Sequence, residues 1–275
     1  MILHYKDTSF AGRSMRWVFY GLCTGIFAFL LLPLVAIIPL SFNAGSFLSY
    51  PLAGLSWRWY ASLLGPGDWV TAFENSLIVA TGASALATPL GMLAALGLTR
   101  LPSVIRPLLV AVLLAPMFVP VVVVAVSVYL AYAPLGLADS YSGLIVTHAT
   151  LASPFVVVLI GSGLQTIEPS VLRAASSLGA SPPRVLLRVL LPLIAPSVLA
   201  AALMAFATSF DEIVVALFLA GTEHKTLPMK MFEGARDEIS PLITAAATLL
   251  IFTSVILLSL AEAARRWRER LQAAQ

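Results

Sequence analysis

The protein has 275 residues, of which 60% are hydrophobic and only 11% are charged, against roughly 25% charged in an ordinary soluble domain. A soluble globule of this length needs more polar surface, and the mean hydropathy of +0.97 agrees, so soluble enzymes and DNA-binding domains are excluded. The net charge of +3 must therefore be explained within a membrane protein, and the single cysteine excludes a disulfide within the chain.

Six segments are apolar over the length of about 20 residues that a membrane-spanning helix needs. They lie at 17–42, 73–98, 104–132, 144–167, 192–220 and 241–261. The first segment is too long for a signal-peptide core and has no clear small-residue cleavage site, so we expect it to be retained. The predicted fold class is all-α, a polytopic membrane bundle of six transmembrane helices.

The distribution of basic residues predicts the orientation of these spans. Twelve of the 16 fall on one side, namely Lys6, Arg13, Arg16, Arg100, Arg106, Arg173, Arg184, Arg188, Arg265, Arg266, Arg268 and Arg270. The other side has only Arg58, Lys225, Lys230 and Arg236. Because cytoplasmic loops carry the excess of Lys and Arg, both termini are predicted to be cytoplasmic, and no nucleic acid is needed to explain the positive charge.

The predicted spans contain prolines and pairs of small residues. The prolines at membrane depth are Pro33, Pro39, Pro89, Pro116, Pro120, Pro154 and Pro196, and each must be tolerated through neighbouring helices or water. Ala80 with Ser84, and Gly91 with Ala95, place small residues four apart and predict close helix packing.

Two outer loops separate the spans on the less basic side. The loop 43–72 contains Ser-Trp-Arg-Trp-Tyr at 56–60, a composition typical of the lipid headgroup zone. The loop 221–240 mixes seven charged residues with His224.

The cytoplasmic segment 168–191 is the most informative part of the sequence. It predicts a short helix at 171–178 that ends at Gly179, where positive φ is common, and a second helix that starts at Ser181 before two prolines. A short helix with many small residues outside the membrane fits a groove on another protein, and the alternative is a plain linker.

The run 173–180, Arg-Ala-Ala-Ser-Ser-Leu-Gly-Ala, is followed by Leu191-Pro192. This spacing resembles the EAA loop of ABC importer permeases of the type I fold, in which the loop is the coupling helix that binds the cytoplasmic ATPase. The residues that the resemblance assigns to ATPase docking are Arg173, Ala174, Ala175, Leu178, Gly179 and Ala180. The chain departs from the pattern at Arg173, where the family has glutamate, and Glu168 is too far upstream to replace it.

Further stretches resemble permeases for spermidine and putrescine. They are Ser-Phe-Asp-Glu-Ile-Val-Val at 209–215, Phe-Leu-Ala-Gly at 218–221, Thr-Leu-Pro-Met-Lys at 226–230, the segment 56–60 and Glu-Asn-Ser-Leu at 74–77. The likeness covers about 17–262, which predicts a transmembrane domain over that range, with a cytoplasmic tail at 1–16 and another at 263–275.

The resemblance implies an inner-membrane permease subunit that moves a small solute, such as a polyamine or another solute of that size, by alternating access. Its implied partners are a second homologous permease, two ATPase subunits, an extracytoplasmic binding protein and membrane lipid. ATP and Mg²⁺ are expected in the ATPase, since this chain lacks the Gly-x-x-x-x-Gly-Lys-Ser/Thr phosphate loop, and no cofactor or catalytic residue is assigned to it. A self-contained secondary transporter is the alternative, but it needs midplane carboxylates and often an inverted repeat, and neither is evident.

Two adjacent carboxylates fall within the predicted fifth span. Asp211 follows Pro196 by 15 residues, or about 22 Å of helix at about 1.5 Å per residue, in the outer third of the membrane. With Phe206 and Phe210 nearby, it could attract an ammonium group on the substrate path, or it could form a structural ion pair. We expect Asp211 to line the cavity and Glu212 to point to water or a subunit contact, and the reverse assignment stays open.

Histidines give weaker indications. His148 lies in the predicted fourth span, where a hydrogen-bonded packing role competes with a proton relay. His4 and His224 have no metal-ligand spacing between them, so no metal site is predicted.

Overall fold

The computed structural model describes residues 10–237 and 240–273. The described chain is helical, and its helices are α1 Phe10–Leu40, α2 Arg58–Leu64, α3 Asp68–Thr99, α4 Arg106–Leu114, α5 Val121–Tyr132, α6 Tyr141–Leu164, α7 Pro169–Ser177, α8 Pro182–Val185, α9 Leu191–Phe210, α10 Val214–Leu219, α11 Leu227–Asp237 and α12 Pro241–Ala273. Within these residues the only β pairing is an isolated bridge between Asn43 and Leu55. The predicted all-α class is confirmed.

The predicted spans correspond to helices whose limits differ from those expected. Four described helices are long and apolar enough to cross a membrane, at Met15–Leu40, Asp68–Thr99, Tyr141–Leu164 and Pro182–Phe210. A bent pair of helices and the shorter apolar stretch Pro241–Leu257 account for the remaining two predicted segments. Six spans are therefore compatible with the structure, although only four are single long helices.

The third predicted span, 104–132, is not continuous. Its two halves, Arg106–Met117 and Val121–Leu135, meet at an angle of 92°. Pro116 lies in a 3₁₀ turn and Pro120 is the N-cap of α5. Each proline removes a backbone donor and opposes a straight α-helix, so the chain bends between them.

The fifth predicted span, 192–220, begins earlier and ends sooner than expected. The helical run from Pro182 to Phe210 is continuous through a π-helical turn at Leu186–Leu190, so Pro192 does not start it. The Leu191 amide bonds the Leu186 carbonyl across that turn, in the i→i+5 pattern that absorbs an irregularity without ending a helix. Beyond Phe210 the chain unwinds and restarts as α10 at Val214.

The chain divides into two compact units, and the larger contains residues 64–237 and 249–273 of the described chain. In it, α3, α6 and α9 pack around a core rich in alanine, with Ala83, Ala152 and Ala201 fully buried. A Cβ built on Gly91 would lie 2.6 Å from Val156 Cγ1, so glycine sets the separation of α3 and α6 there. The predicted close packing around Gly91 and Ala95 is confirmed.

The smaller unit contains residues 10–63 and 240–248 of the described chain. In it, the chain after α1 is held by Asn43, which is fully buried and whose carbonyl accepts a 2.7 Å hydrogen bond from the Trp59 indole. Phe42 packs edge-on against Trp57 at 4.9 Å. The aromatic segment 56–60 is therefore part of an ordered structure that follows α1, with Trp57 still 70% exposed.

Candidate functional site

The predicted helix–glycine–helix element forms between α6 and α9. Helix α7 ends at Ser177, and Gly179 has φ of 81°, in the left-handed region that favours glycine. The Gly179 amide bonds the Ser176 carbonyl at 3.0 Å and the Ala180 amide bonds the Ala175 carbonyl at 3.2 Å. Ser181 is the N-cap residue of α8. The predicted turn at Gly179 is confirmed, and we call residues 169–185 the elbow.

The elbow exposes the side chains that the resemblance assigned to docking. Leu178 is 89% exposed at the tip of the elbow, while Arg173 and Ala174 are exposed and Ala175 and Ala180 are half-buried. Among the described residues, Arg173 has no ion-pair partner. An exposed leucine and an unpaired cation in one short element suit a protein contact better than a linker, because a linker gains nothing from that exposure.

Asp211 and Glu212 differ in what their carboxylates contact. Asp211 ends α9 as its C-cap residue and is exposed, and within the described chain its carboxylate has no hydrogen-bond partner. Glu212 Oε1 accepts hydrogen bonds of 2.8 and 3.0 Å from the amides of Val214 and Val215. Glu212 therefore caps the start of α10, which satisfies amides that a helix start leaves free.

The two predicted aromatic residues also differ. Phe206 and Phe210 stack with ring centroids 5.5 Å apart, and Phe73 meets Phe210 edge-on at 6.3 Å. Phe210 is only 2% exposed, whereas Phe206 is half-buried. In this conformation Phe210 fixes the outer end of α9, and the ring of Phe206 is the more accessible one.

A polar network near the N-terminal ends of α3 and α6 was not predicted from the sequence. Asn75, 2% exposed, donates 2.9 Å hydrogen bonds to the carbonyls of Glu223 and Lys225 and accepts a 2.5 Å bond from the Tyr141 hydroxyl. Ser76 Oγ accepts the Leu227 amide at 2.8 Å. The sequence did contain one indication of this network. Asn75 and Ser76 are polar residues inside a mainly apolar helix, and buried polar groups need hydrogen-bond partners.

His224 adds a second connection to the same loop. Its Nδ1 lies 3.0 Å from Asp139 Oδ1, and its ring meets Tyr141 edge-on at 4.4 Å. The Asp139 amide in turn donates to the Leu219 carbonyl at 2.8 Å. The segment 219–227, which we call the outer latch, is thus attached to α3 and to the start of α6.

Beside the outer latch lies an open polar cavity of about 350 Å³. It is lined by Asp68, Thr71, Ala72, Asn75, Thr222, Glu223, Lys225 and Lys230. Two ion pairs flank it, Lys230 with Asp68 at 3.0 Å and Lys225 with Glu233 at 2.8 Å. Since these lysines already have acidic partners, the cavity is a mixed polar surface and not a focused cation site.

His148 lies in the packed interior of the larger unit, only 1% exposed. Its Nδ1 is 2.8 Å from Ser209 Oγ, which joins α6 to the last turn of α9. This geometry supports the packing interpretation.

These features define a class of protein, a polytopic helical membrane protein with an exposed elbow at one end of its core helices and an unpaired carboxylate at the other. Residues 87–271 match the family of binding-protein-dependent transport system inner membrane components. The chain belongs to this family and is an inner-membrane permease subunit of an ABC transporter.

Curated relatives place the chain more narrowly. It is 32% identical over 251 residues to the spermidine/putrescine transport system permease protein PotC of Escherichia coli (strain K12), covering 90% of this chain and 92% of that protein. It is 33% identical over 232 residues to the putrescine transport system permease protein PotI of the same organism, covering 82% of each chain.

Solved structures share the fold. A chain of a bacterial ABC transporter involved in the import of the acidic polysaccharide alginate superposes with a TM-score of 0.70 at 18% identity, over 93% of this chain and 98% of that one. A chain of the alginate transporter in complex with a periplasmic protein bound to an alginate pentasaccharide gives a TM-score of 0.65 at 16% identity, over 94% and 96% of the two chains.

Proposed function

We propose that this permease imports a polyamine such as spermidine or putrescine through the inner membrane, driven by ATP hydrolysis in a separate subunit. The observation that carries the substrate class is the 32% identity to PotC over 90% of this chain. The exposed, unpaired carboxylate of Asp211 supports it, because an anionic group at the outer end of α9 attracts an ammonium group.

The proposed assembly contains this chain, a second homologous permease, two ATPase subunits and an extracytoplasmic binding protein. The elbow is the proposed ATPase contact, since Leu178 is 89% exposed at its tip and a partner protein would bury it. We place both termini in the cytoplasm, as the excess of basic residues on that side favours.

The proposed mechanism is alternating access. ATP binds the outward-facing state more tightly than the inward-facing one, so ATP binding and hydrolysis shift the population between them. The elbow moves with the ATPase, and the continuous helical run that begins in the elbow at Pro182 ends at Phe210, next to Asp211. Asp211 contacts the substrate as it leaves the binding protein, with Phe206 as the more accessible of the two aromatic rings near the end of α9. Glu212 stays on α10 as its cap.

The test is uptake of radiolabelled spermidine and putrescine into proteoliposomes that hold the complete assembly. We expect ATP-dependent accumulation of at least one polyamine that also requires the binding protein. Accumulation of a different small solute, with neither polyamine competing, would assign another substrate to the same machinery. Uptake by the isolated chain under an ion gradient, without ATPase, would contradict the importer mechanism.

A further inference from the structure

A second open cavity, of about 490 Å³, lies at the end of the larger unit that carries the elbow. Its lining residues are Leu96, Arg100, Leu172, Ser176, Pro182, Pro183, Val185, Leu186 and Leu190. The volume is in the range of small-ligand sites, roughly 300–1,000 Å³. We call it the elbow groove.

The walls of the elbow groove are mainly apolar and come from α3, α7, α8 and the π turn before α9. Leu96 lies in the last turns of α3, Leu172 in α7 and Leu186 in the π turn before α9. All three pack against the same buried core of α3, α6 and α9. The groove is therefore supported by the core, and its shape does not depend on a free loop.

Arg100 is the one charged residue that lines this groove. It is the C-cap of α3, is exposed, and has no acidic partner among the described residues. A guanidinium can bind a phosphate through two parallel hydrogen bonds. The groove thus combines an apolar wall with one free phosphate-binding group at its edge.

The segments around the elbow groove are positively charged, as Arg100 is. The two segments at this end, 99–106 and 165–191, carry Arg100, Arg106, Arg173, Arg184 and Arg188. Glu168 is their single acidic residue, and its carboxylate accepts a 2.8 Å hydrogen bond from the Ser170 hydroxyl. An occupant with negative charge and apolar chains is complementary to this end of the molecule, and an acidic phospholipid has both.

We propose that the elbow groove binds an anionic phospholipid of the inner leaflet, with the lipid phosphate on Arg100 and the start of an acyl chain along Leu96, Leu172 and Leu186. This inference rests on the cytoplasmic placement of the elbow in the proposed function. The lipid fills the space between α3 and the elbow and so supports the element that meets the ATPase.

The test is phospholipid retained by the complete purified assembly after passage through nanodiscs of phosphatidylcholine with added phosphatidylglycerol, counted by native mass spectrometry. Arg100→Gln is expected to lower retained phosphatidylglycerol about fivefold, the effect of one basic residue near an anionic surface. Arg100→Lys keeps the charge and should restore most of it. Arg106→Gln, at the start of α4 and outside the groove lining, should lower retention less than Arg100→Gln does.

Several outcomes would overturn the proposal. Equal retention by Arg100→Gln and the wild type would show that Arg100 holds no lipid. Equal retention of phosphatidylcholine and phosphatidylglycerol would show that charge is not recognised. Loss of the ATPase subunits from the Arg100→Gln assembly would assign Arg100 to a protein contact. Lipid retention is measured without substrate. The lipid proposal can therefore be wrong while polyamine uptake is confirmed, and polyamine uptake can be absent while lipid binding is confirmed.

Discussion

The Tyr141 hydroxyl donates a 2.5 Å hydrogen bond to Asn75 Oδ1, which joins the start of α6 to the outer part of α3. The same Asn75 amide holds two carbonyls of the outer latch, at Glu223 and Lys225. One buried side chain therefore connects three parts of the outer surface that are distant in sequence.

Asn75→Ala is expected to loosen the outer latch. It removes the hydrogen bonds to the Glu223 and Lys225 carbonyls and the one from the Tyr141 hydroxyl, and each lost bond costs about 0.5–1.5 kcal/mol. We expect amide hydrogen exchange in residues 222–227 to rise about tenfold or more. The exposed neighbouring variant Glu74→Ala should leave that exchange unchanged. If residues 222–227 exchange their amide hydrogens as slowly in Asn75→Ala as in the wild type, other contacts hold the outer latch.

Gly91→Ala is expected to destabilise the fold by about 1–3 kcal/mol through overpacking. The added Cβ would meet Val156 Cβ at 2.9 Å and its Cγ1 at 2.6 Å, and a β-branched valine cannot easily move aside. Gly97→Ala in the same helix meets nothing within 4 Å and should be neutral or stabilising by up to about 1 kcal/mol. Thermal unfolding of both variants in detergent checks this, and equal melting temperatures would contradict it.

Leu178→Ser is expected to weaken ATPase binding about tenfold or more without affecting the fold. The side chain is 89% exposed, so the isolated chain loses little, whereas a leucine buried at an interface contributes roughly 1.5–3 kcal/mol. The measurement is ATPase retained on the purified permease. Val104→Ser, at 85% exposure outside the elbow, is the matched control. Retention equal to wild type would remove Leu178 from the contact.

Arg173→Glu restores the residue type of the EAA pattern and is expected to preserve ATPase docking. Arg173 is exposed and lacks an ion-pair partner in the described chain, so the fold should change by no more than about 0.5 kcal/mol. Co-purification of the ATPase is the measurement. If Arg173→Glu alone loses the ATPase while Arg173→Gln keeps it, the partner presents an acidic residue to Arg173.

Asp211→Asn is expected to lower polyamine uptake at limiting substrate about fivefold while assembly survives. The substitution keeps the shape of the side chain and removes its charge, whose attraction for an ammonium at about 4 Å in water is about 1 kcal/mol. Initial uptake rates measure it, with Glu74→Gln as an exposed outer control. An unchanged rate would exclude Asp211 from the substrate path.

The elbow could be predicted from the sequence because neighbouring residues determine its turn and its helix ends. A glycine after a short helix and a serine before two prolines determine the backbone at Gly179 and Ser181 without reference to the rest of the chain. The alanine and glycine faces of α3 were visible for the same reason, since helical spacing alone places Gly91 and Ala95 together.

The breaks in the spans could not be placed in this way. The stretches on both sides of the Asp211-Glu212 pair are mainly apolar, so hydropathy predicts 192–220 as one segment. The capping bonds of Glu212 form only once α10 has formed. The outer latch was missed because its hydrogen bonds join residues about 150 positions apart, such as Asn75 and Lys225. The periodicity of hydrophobic residues within one helix cannot predict hydrogen bonds between residues so far apart in sequence.

The continuous helix from Pro182 to Phe210 has a mechanical consequence. It contains 29 residues, or about 44 Å at about 1.5 Å per residue, with the elbow at one end and Asp211 at the other. Because the run is one continuous helix, a tilt imposed at Pro182 also displaces its other end at Phe210. In the proposed mechanism, movement of the ATPase at the elbow and movement of Asp211 are therefore coupled through this one helix.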